Sequence, residues 1–277
     1  MIRAALLCAL LPLVAVAQES RPPATPIHAD KIVLVGDSTT AVQGGWGPAF
    51  CAHHVTSFVA CVDLARGGRS SYSYRAEGSW DLALAEMRVA GYDEVWVLVQ
   101  FGHNDQPGKP GRSTDLEREF PQNLRRYVAE IRAAGARPVL LTPLTRRQFE
   151  DGRLLDDLAP WAEAVRTVAR ETATPLLDLH ARSREIVQAL GPVQAMRLAQ
   201  VAPPSSVVAA AQGGTTVDHD APPPARGAAA DGLPPLAQAK PSFDYTHLGD
   251  RGAEVFAALV ADELSRIEPE LRGRLIP

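Results

Sequence analysis

Short runs of consecutive apolar residues alternate along the chain with stretches in which apolar positions return every three to four residues. The runs are Lys31 to Val35, "SFVACVDL" from Ser57, "DEVWVLVQF" from Asp93, "RPVLLT" from Arg137 and "TPLLDL" from Thr174. Each has the length of a strand and lacks the polar alternation of a half-exposed one, which predicts five strands buried on both faces. Helical spacing appears from Trp46 to Ala52, in "GSWDLALAEMRVA", at Leu124, Val128 and Ile131, in "LAPWAEAVRTVARETA", and from near Asp250 to about Ile267. Strand and helix alternating in this way predict an α/β fold, a parallel sheet with helices on both faces. No internal repeat is evident.

Three stretches fall outside the pattern. The first residues, "MIRAALLCALLPLVAVAQES", have a charged start, an apolar run too short to span a bilayer comfortably, and Ala15-Val16-Ala17. Small residues flanking a cleavage point are what signal peptidase accepts, so residues 1–17 are expected to be a leader and the protein to be secreted or periplasmic. A Pro-rich lead-in, 18–29, precedes a single domain over 30–270. Within it, 202–240 is rich in Ala, Pro and Gly and is expected to be a mobile, featureless surface insertion.

Composition narrows the classes. The 277 residues carry a formal net charge of -4 with no concentrated basic stripe, so nucleic acid is not an expected partner. Nothing after the leader suggests a membrane, and a monomer is expected. Cys51 and Cys61 remain once Cys8 leaves with the leader. In an oxidising compartment they either close a local loop or stay as two buried thiols. With few histidines near them, a zinc site has no support.

In open parallel sheets ligands bind beyond the carboxyl ends of the strands. The first four predicted strands here end on chemistry-bearing residues. The first delivers Gly36-Asp37-Ser38, the second "ARGGRSSYSY", the third "FGHNDQ" with Asn104, and the fourth "TPLTRR". "FDYTHLGDRGA" then places Asp244 and His247 three residues apart, just before the last helix. Together these suit nucleophilic acyl transfer. A serine hydroxyl needs a base, histidine is suited to that task, and an aspartate fixes its tautomer. The Ser38 N–H, the Gly68 N–H and the Asn104 amide are candidate oxyanion donors.

In "GDST", "GGWG", "GGRSSYSY", "EGSW", "FGHND", "LTPLTRRQF", "LLDLHARS" and "DYTHLGDRGA" the chain resembles the SGNH (GDSL-type) hydrolase superfamily, and within it the rhamnogalacturonan acetylesterases of carbohydrate esterase family 12. The resemblance implies a three-layer α/β/α flavodoxin-like fold with no metal or organic cofactor. It implies Ser38 as nucleophile, Asp244 and His247 as its triad partners, and Gly68 and Asn104 completing the oxyanion hole. The expected activity is removal of O-acetyl groups from a plant cell-wall polysaccharide, namely pectic rhamnogalacturonan. An acetylxylan esterase, a lipase or thioesterase, and a catalytically silent carbohydrate-binding protein are the alternatives. The long Ala/Pro insertion departs from the family pattern and bears on substrate access.

The remaining polar residues divide between site and scaffold. Asp37 is expected to brace its turn, and Asp105 to support the third loop. His180 also follows a strand end and competes with His247 as base, without an Asp three residues before it. His53 and His54, adjacent on a helix, are expected to face different ways. Arg69 and Arg146 are candidates for binding sugar carboxylates, Trp80 and Trp46 for stacking on sugar rings or packing the core, and His103 for lining the pocket.

Overall fold

A computed structural model describes residue 24, residues 27–216 and residues 242–277. The leader 1–17, most of the lead-in, residues 217–240 of the insertion and residue 241 lie outside the described residues.

Five parallel strands form the main sheet: β1 (Asp30–Gly36), β2 (Val59–Asp63), β3 (Val95–Gln100), β4 (Arg137–Leu141) and β7 (Leu176–Leu177). Their spatial order is β2-β1-β3-β4-β7. Among the sheet strands alone this is 2-1-3-4-5, the doubly wound flavodoxin-like arrangement. Val33 pairs with Val62 on one side and Val97 on the other, so β1 runs through the middle of the apolar slab.

Side chains alternate across a strand, and the two faces build two separate cores. Ile32, Leu34, Trp96, Leu98, Val139 and Leu141 face a layer formed by α1 (Gly47–His53), α6 (Leu179–Ala195) and α8 (Asp250–Ile267). Val33, Val35, Val97, Val99 and Leu140 face α3 (Ser79–Met87), α4 (Glu119–Ala133) and α5 (Ala159–Glu171). The result is the expected three-layer α/β/α fold.

Several elements depart from the sequence reading. The fifth strand shrinks to two residues because Asp178 caps α6, its side chain accepting from Ala181 N at 3.3 Å, and the chain turns helical at Leu179. The periodicity of α6 is interrupted by Gly191 (φ 69°) and Pro192, which hides it from a pattern search. A short α2 (Ser73–Ala76) and an antiparallel hairpin, β5 (Phe149–Glu150) with β6 (Arg153–Leu154), are additional.

The stretch 202–240, expected to be featureless, begins with an eight-residue helix, α7 (Ser205–Gln212). Pro204 lies at its N-cap, and alanines favour the helix although only Ala211 is buried. The chain then adds to the hairpin: Thr216 N donates to Phe149 O at 2.9 Å, and Thr216 Oγ1 accepts from Phe149 N at 2.8 Å. The folded body also runs past residue 270, since Leu271 and Leu275 are buried and Arg274 pairs with Asp30 at 2.6 Å.

Cys51 and Cys61 form a disulfide with Cα atoms 5.3 Å apart, tying α1 to the edge strand β2. Among the described residues no helix is long and apolar enough to cross a membrane.

Candidate active site

Connections from β1 lead to β2 on one side of it, while β3 and β4 lie on the other. The crevice where the order reverses opens beyond the carboxyl ends of β1 and β3, the usual ligand position in such sheets. Ser38 follows β1 and Asn104 follows β3. Asp37 braces the first turn as expected: its Oδ1 accepts from Thr39 N at 2.9 Å and Thr39 Oγ1 at 2.8 Å, while its carbonyl accepts from Ala41 N at 3.0 Å. Gln100, the last residue of β3, accepts from the Thr40 hydroxyl and from Trp46 Nε1 at 2.8 Å. That bond, with full burial, places Trp46 in the core and not on a sugar ring.

The loop after β2 presses against Ser38. A Cβ placed on Gly67 would lie 3.7 Å from Ser38 Cβ, and Gly68 adopts φ 77°, a left-handed conformation open chiefly to glycine. Asn104 Nδ2 donates to Arg69 O at 3.1 Å, locking the third strand end to this glycine loop. An amide nitrogen carries two hydrogens, so one is left. Asp105 fastens the same two loops, accepting from Ser71 Oγ at 2.6 Å and Thr114 Oγ1 at 3.0 Å. Burial, only partly offset by these donors, raises its pKa to about 7. The backbone N–H groups of Ser38 and Gly68 donate to no acceptor among the described residues.

The acid and the imidazole meet just before α8. His247 Nδ1 lies 2.6 Å from Asp244 Oδ2, and Asp244 Oδ1 accepts from Thr246 N at 2.8 Å and His247 N at 2.7 Å. Burial pushes the Asp244 carboxyl up, but its hydrogen bonds and the His247 charge outweigh that and hold it at about 2. With Nδ1 donating to this carboxylate, Nε2 is the basic nitrogen. The His247 ring rests on the nucleophile's own loop. Gly44 has φ 86°, and a Cβ there would sit 3.1 Å from His247 Cδ2. Gly44 O accepts from Leu248 N at 2.8 Å. The Asp-x-x-His segment is thereby pinned six residues downstream of Ser38.

A family model described as GDSL-like Lipase/Acylhydrolase matches residues 34–255, from β1 into α8. The chain belongs to this family. Rhamnogalacturonan acetylesterase RhgT of Bacillus subtilis (strain 168) is 31% identical over 254 residues, covering 89% of this chain and 94% of its own. Probable rhamnogalacturonan acetylesterase YesY of the same organism is 35% identical over 162 residues, covering 56% of this chain and 72% of its own. Among solved structures, protein YxiM from Bacillus subtilis superposes with a TM-score of 0.61 at 21% identity, covering 87% of this chain and 57% of that one. A variant of Axe2, an acetyl-xylooligosaccharide esterase from Geobacillus stearothermophilus, superposes with a TM-score of 0.52 at 16% identity, covering 87% and 96%. At such identities the two structures establish the fold alone. Family and curated relatives make this GDSL protein an esterase.

Other candidates in the GDSL chain land elsewhere. Trp80, a candidate sugar platform, is 2% exposed, packs edge-on against Tyr127 at 4.6 Å and donates from Nε1 to Glu130. It belongs to the core because its position on α3 faces the sheet. His103, a candidate pocket residue, is also 2% exposed and lies behind the nucleophile turn, its Nδ1 3.5 Å from Asp37 Oδ2. Burial lowers its pKa, against the pull of Asp37. Arg69 pairs with Glu77 at 2.6 Å. Arg146 is engaged by Asp157, by Gln106 at 2.8 Å and by Thr246 Oγ1 at 3.3 Å. Both arginines are thus engaged by acids of the chain itself.

His180 is buried, with Nε2 3.0 Å from Asp156, and therefore does not compete as base. His53 and His54 were expected to diverge, yet both reach Glu254, at 2.8 and 3.3 Å. Their ring nitrogens span the carboxylate from α8, which packs beside α1. Among the described residues no group of three or more His, Cys, Asp or Glu is arranged to hold a metal ion.

Arg147 has a role that sequence reasoning did not assign. Fully buried, it donates from Nη2 to Asp244 O (3.1 Å) and His247 O (2.8 Å), and from Nη1 to Thr246 O (3.2 Å). One guanidinium thus holds three carbonyls of the Asp244–His247 turn. Burial, opposed by the Asp244 charge, lowers its pKa to about 10, which leaves it protonated at neutral pH.

Proposed function

We propose that this esterase is exported and removes O-acetyl groups from acetylated rhamnogalacturonan through an acetyl-enzyme formed on Ser38. The observation that carries the reading is the Asp244–His247 pair, 2.6 Å apart, resting on Gly44 of the Ser38 loop. Similarity to RhgT across most of both chains supports the substrate class. The sequence of residues 1–17 supports export.

In this mechanism His247 Nε2 takes the proton of Ser38 Oγ as the oxygen attacks the acetyl carbonyl. Asp244 stabilises the imidazolium without itself accepting the proton. Negative charge gathers on the former carbonyl oxygen. The unengaged N–H groups of Ser38 and Gly68 and the second Asn104 amide hydrogen are its donors. Removing one such donor typically costs about 3–4 kcal/mol of transition-state stabilisation. Collapse expels the sugar oxygen, which takes the proton back from His247. Water then attacks the acetyl-enzyme by the same route and releases acetate.

The test is acetate release from acetylated rhamnogalacturonan, acetylated homogalacturonan and acetylated xylan at equal acetyl content. Fastest release from rhamnogalacturonan is expected. Preference for xylan would replace the pectic assignment, and binding without acetate release from any of them would overturn the catalytic one.

A further inference from the structure

We propose that Lys109 and Arg112 form an anion-recognition rim beside the reaction centre and bind the carboxylate of a uronic-acid unit of the acetylated polysaccharide. The inference rests on the esterase reading above and names the specificity device of that site.

Both cations come from the loop that leaves β3 after Asp105, closed on itself by Ser113 N to Lys109 O (2.9 Å) and Thr114 N to Asp105 O (2.9 Å). Lys109 Nζ donates to the carbonyl of His103, the residue before Asn104. Arg112 Nη1 donates to the carbonyl of Gly68 itself at 3.1 Å. Each cation is therefore held against the backbone of an oxyanion-hole element. Each is half-buried, so a ligand can reach it while water screens it incompletely.

Carbonyls hold these groups in place but do not neutralise them. Among the described residues neither Lys109 nor Arg112 has a carboxylate partner, whereas Arg69 and Arg146 nearby are paired with Glu77 and Asp157. The other acids of the region are buried and occupied: Asp37 by Thr39 and His103, Asp105 by Ser71 and Thr114. Burial lowers the Lys109 pKa, the neighbouring charges of Arg146 and Arg112 add to that, and the charges of Asp37 and Asp105 oppose it. Neighbouring cations with no carboxylate in direct contact leave donors that a carboxylate on the substrate would satisfy. Arginine binds such a carboxylate through its planar fork and lysine through a point charge.

The experiment is inhibition of 4-nitrophenyl acetate hydrolysis by trigalacturonate and, separately, by the neutral trisaccharide galactotriose. It uses the wild-type enzyme, Lys109→Gln, Arg112→Gln, and the charge-keeping Lys109→Arg and Arg112→Lys. Wild type is expected to bind trigalacturonate at least about tenfold more tightly than galactotriose, the size of one charge-assisted contact. Each neutralising variant should lose most of that preference, and each charge-keeping variant should retain much of it. Equal inhibition by the two oligomers in wild type, or an unchanged preference in both neutralising variants, overturns the proposal. A small aryl acetate as reporter keeps this outcome separate from a failure to deacetylate rhamnogalacturonan, which would count against the substrate assignment alone.

Discussion

Arg147 Nη2 donates to the backbone carbonyl of His247 at 2.8 Å, so a buried cation from the loop between β4 and β5 holds the backbone that carries the imidazole. The same side chain holds the carbonyls of Asp244 and Thr246. An unpaired buried guanidinium is costly, and its retention is understandable if the three-carbonyl clamp fixes the acid–base turn.

Arg147→Met keeps the apolar stem and removes the clamp. The His247 carbonyl keeps Gln200 N as a donor at 3.2 Å, whereas those of Asp244 and Thr246 lose the Arg147 donor, at about 1–3 kcal/mol for each one left unsatisfied, with partial relief from no longer burying a charge. A lower melting temperature is expected, together with a kcat on 4-nitrophenyl acetate reduced by about tenfold or more while the folded spectrum is retained. Wild-type kcat in a folded variant would show that the turn holds itself.

Gly44→Ala tests the wall behind the imidazole. Its Cβ would meet His247 Cδ2 at 3.1 Å and Cβ at 3.2 Å, in a backbone with φ 86°. Left-handed strain alone costs roughly 1–2 kcal/mol. Gly91→Ala is the control, since φ is 102° there and nothing lies within 4 Å of its Cβ. Melting temperature should fall in both variants and kcat only in Gly44→Ala. Equal kcat in the two would mean that His247 does not depend on this contact.

The stability profile against pH follows from the buried carboxyls. Asp63 and Asp105 titrate at about 7 in the folded chain, chiefly because burial penalises their charge, against 3.8 when exposed. Between those values the native state holds protons that the unfolded chain has lost. Unfolding free energy should therefore fall as pH rises from about 4 to about 7, then level off. Asp244 acts oppositely: held at about 2, it stabilises the fold above about pH 4, and this is lost as pH falls through 2. Chemical denaturation across this range should show the decline, and Asp105→Asn should flatten it. An unchanged slope in that variant would remove Asp105 from the account.

The layers were legible because both signals were physical and local. Strands buried on two faces read as unbroken apolar runs, and α8 spans Asp250–Ile267 as its periodicity predicted. Elements with weak signals were lost: α6 is broken at Gly191 and Pro192, and α7 buries a single residue. At the site, Asp37 and Asp105 could be read as supports because turn chemistry is short-range. Trp80 could not be placed, since its role depends on which face of α3 meets the sheet. Arg146 and Arg147 are neighbours in sequence, yet one pairs with Asp157 and the other enters the core to clamp the Asp244–His247 turn. Only the fold decides which is which.

The central claim is that Ser38 is a nucleophile activated by His247. Its most direct test is stoichiometric labelling by a fluorophosphonate, read by mass spectrometry of the peptide that contains Ser38. The account predicts a single adduct on Ser38, formed far more slowly in His247→Ala and absent in Ser38→Ala along with esterase activity. An adduct on another residue, or a Ser38→Ala protein that hydrolyses 4-nitrophenyl acetate at the wild-type rate, would contradict it.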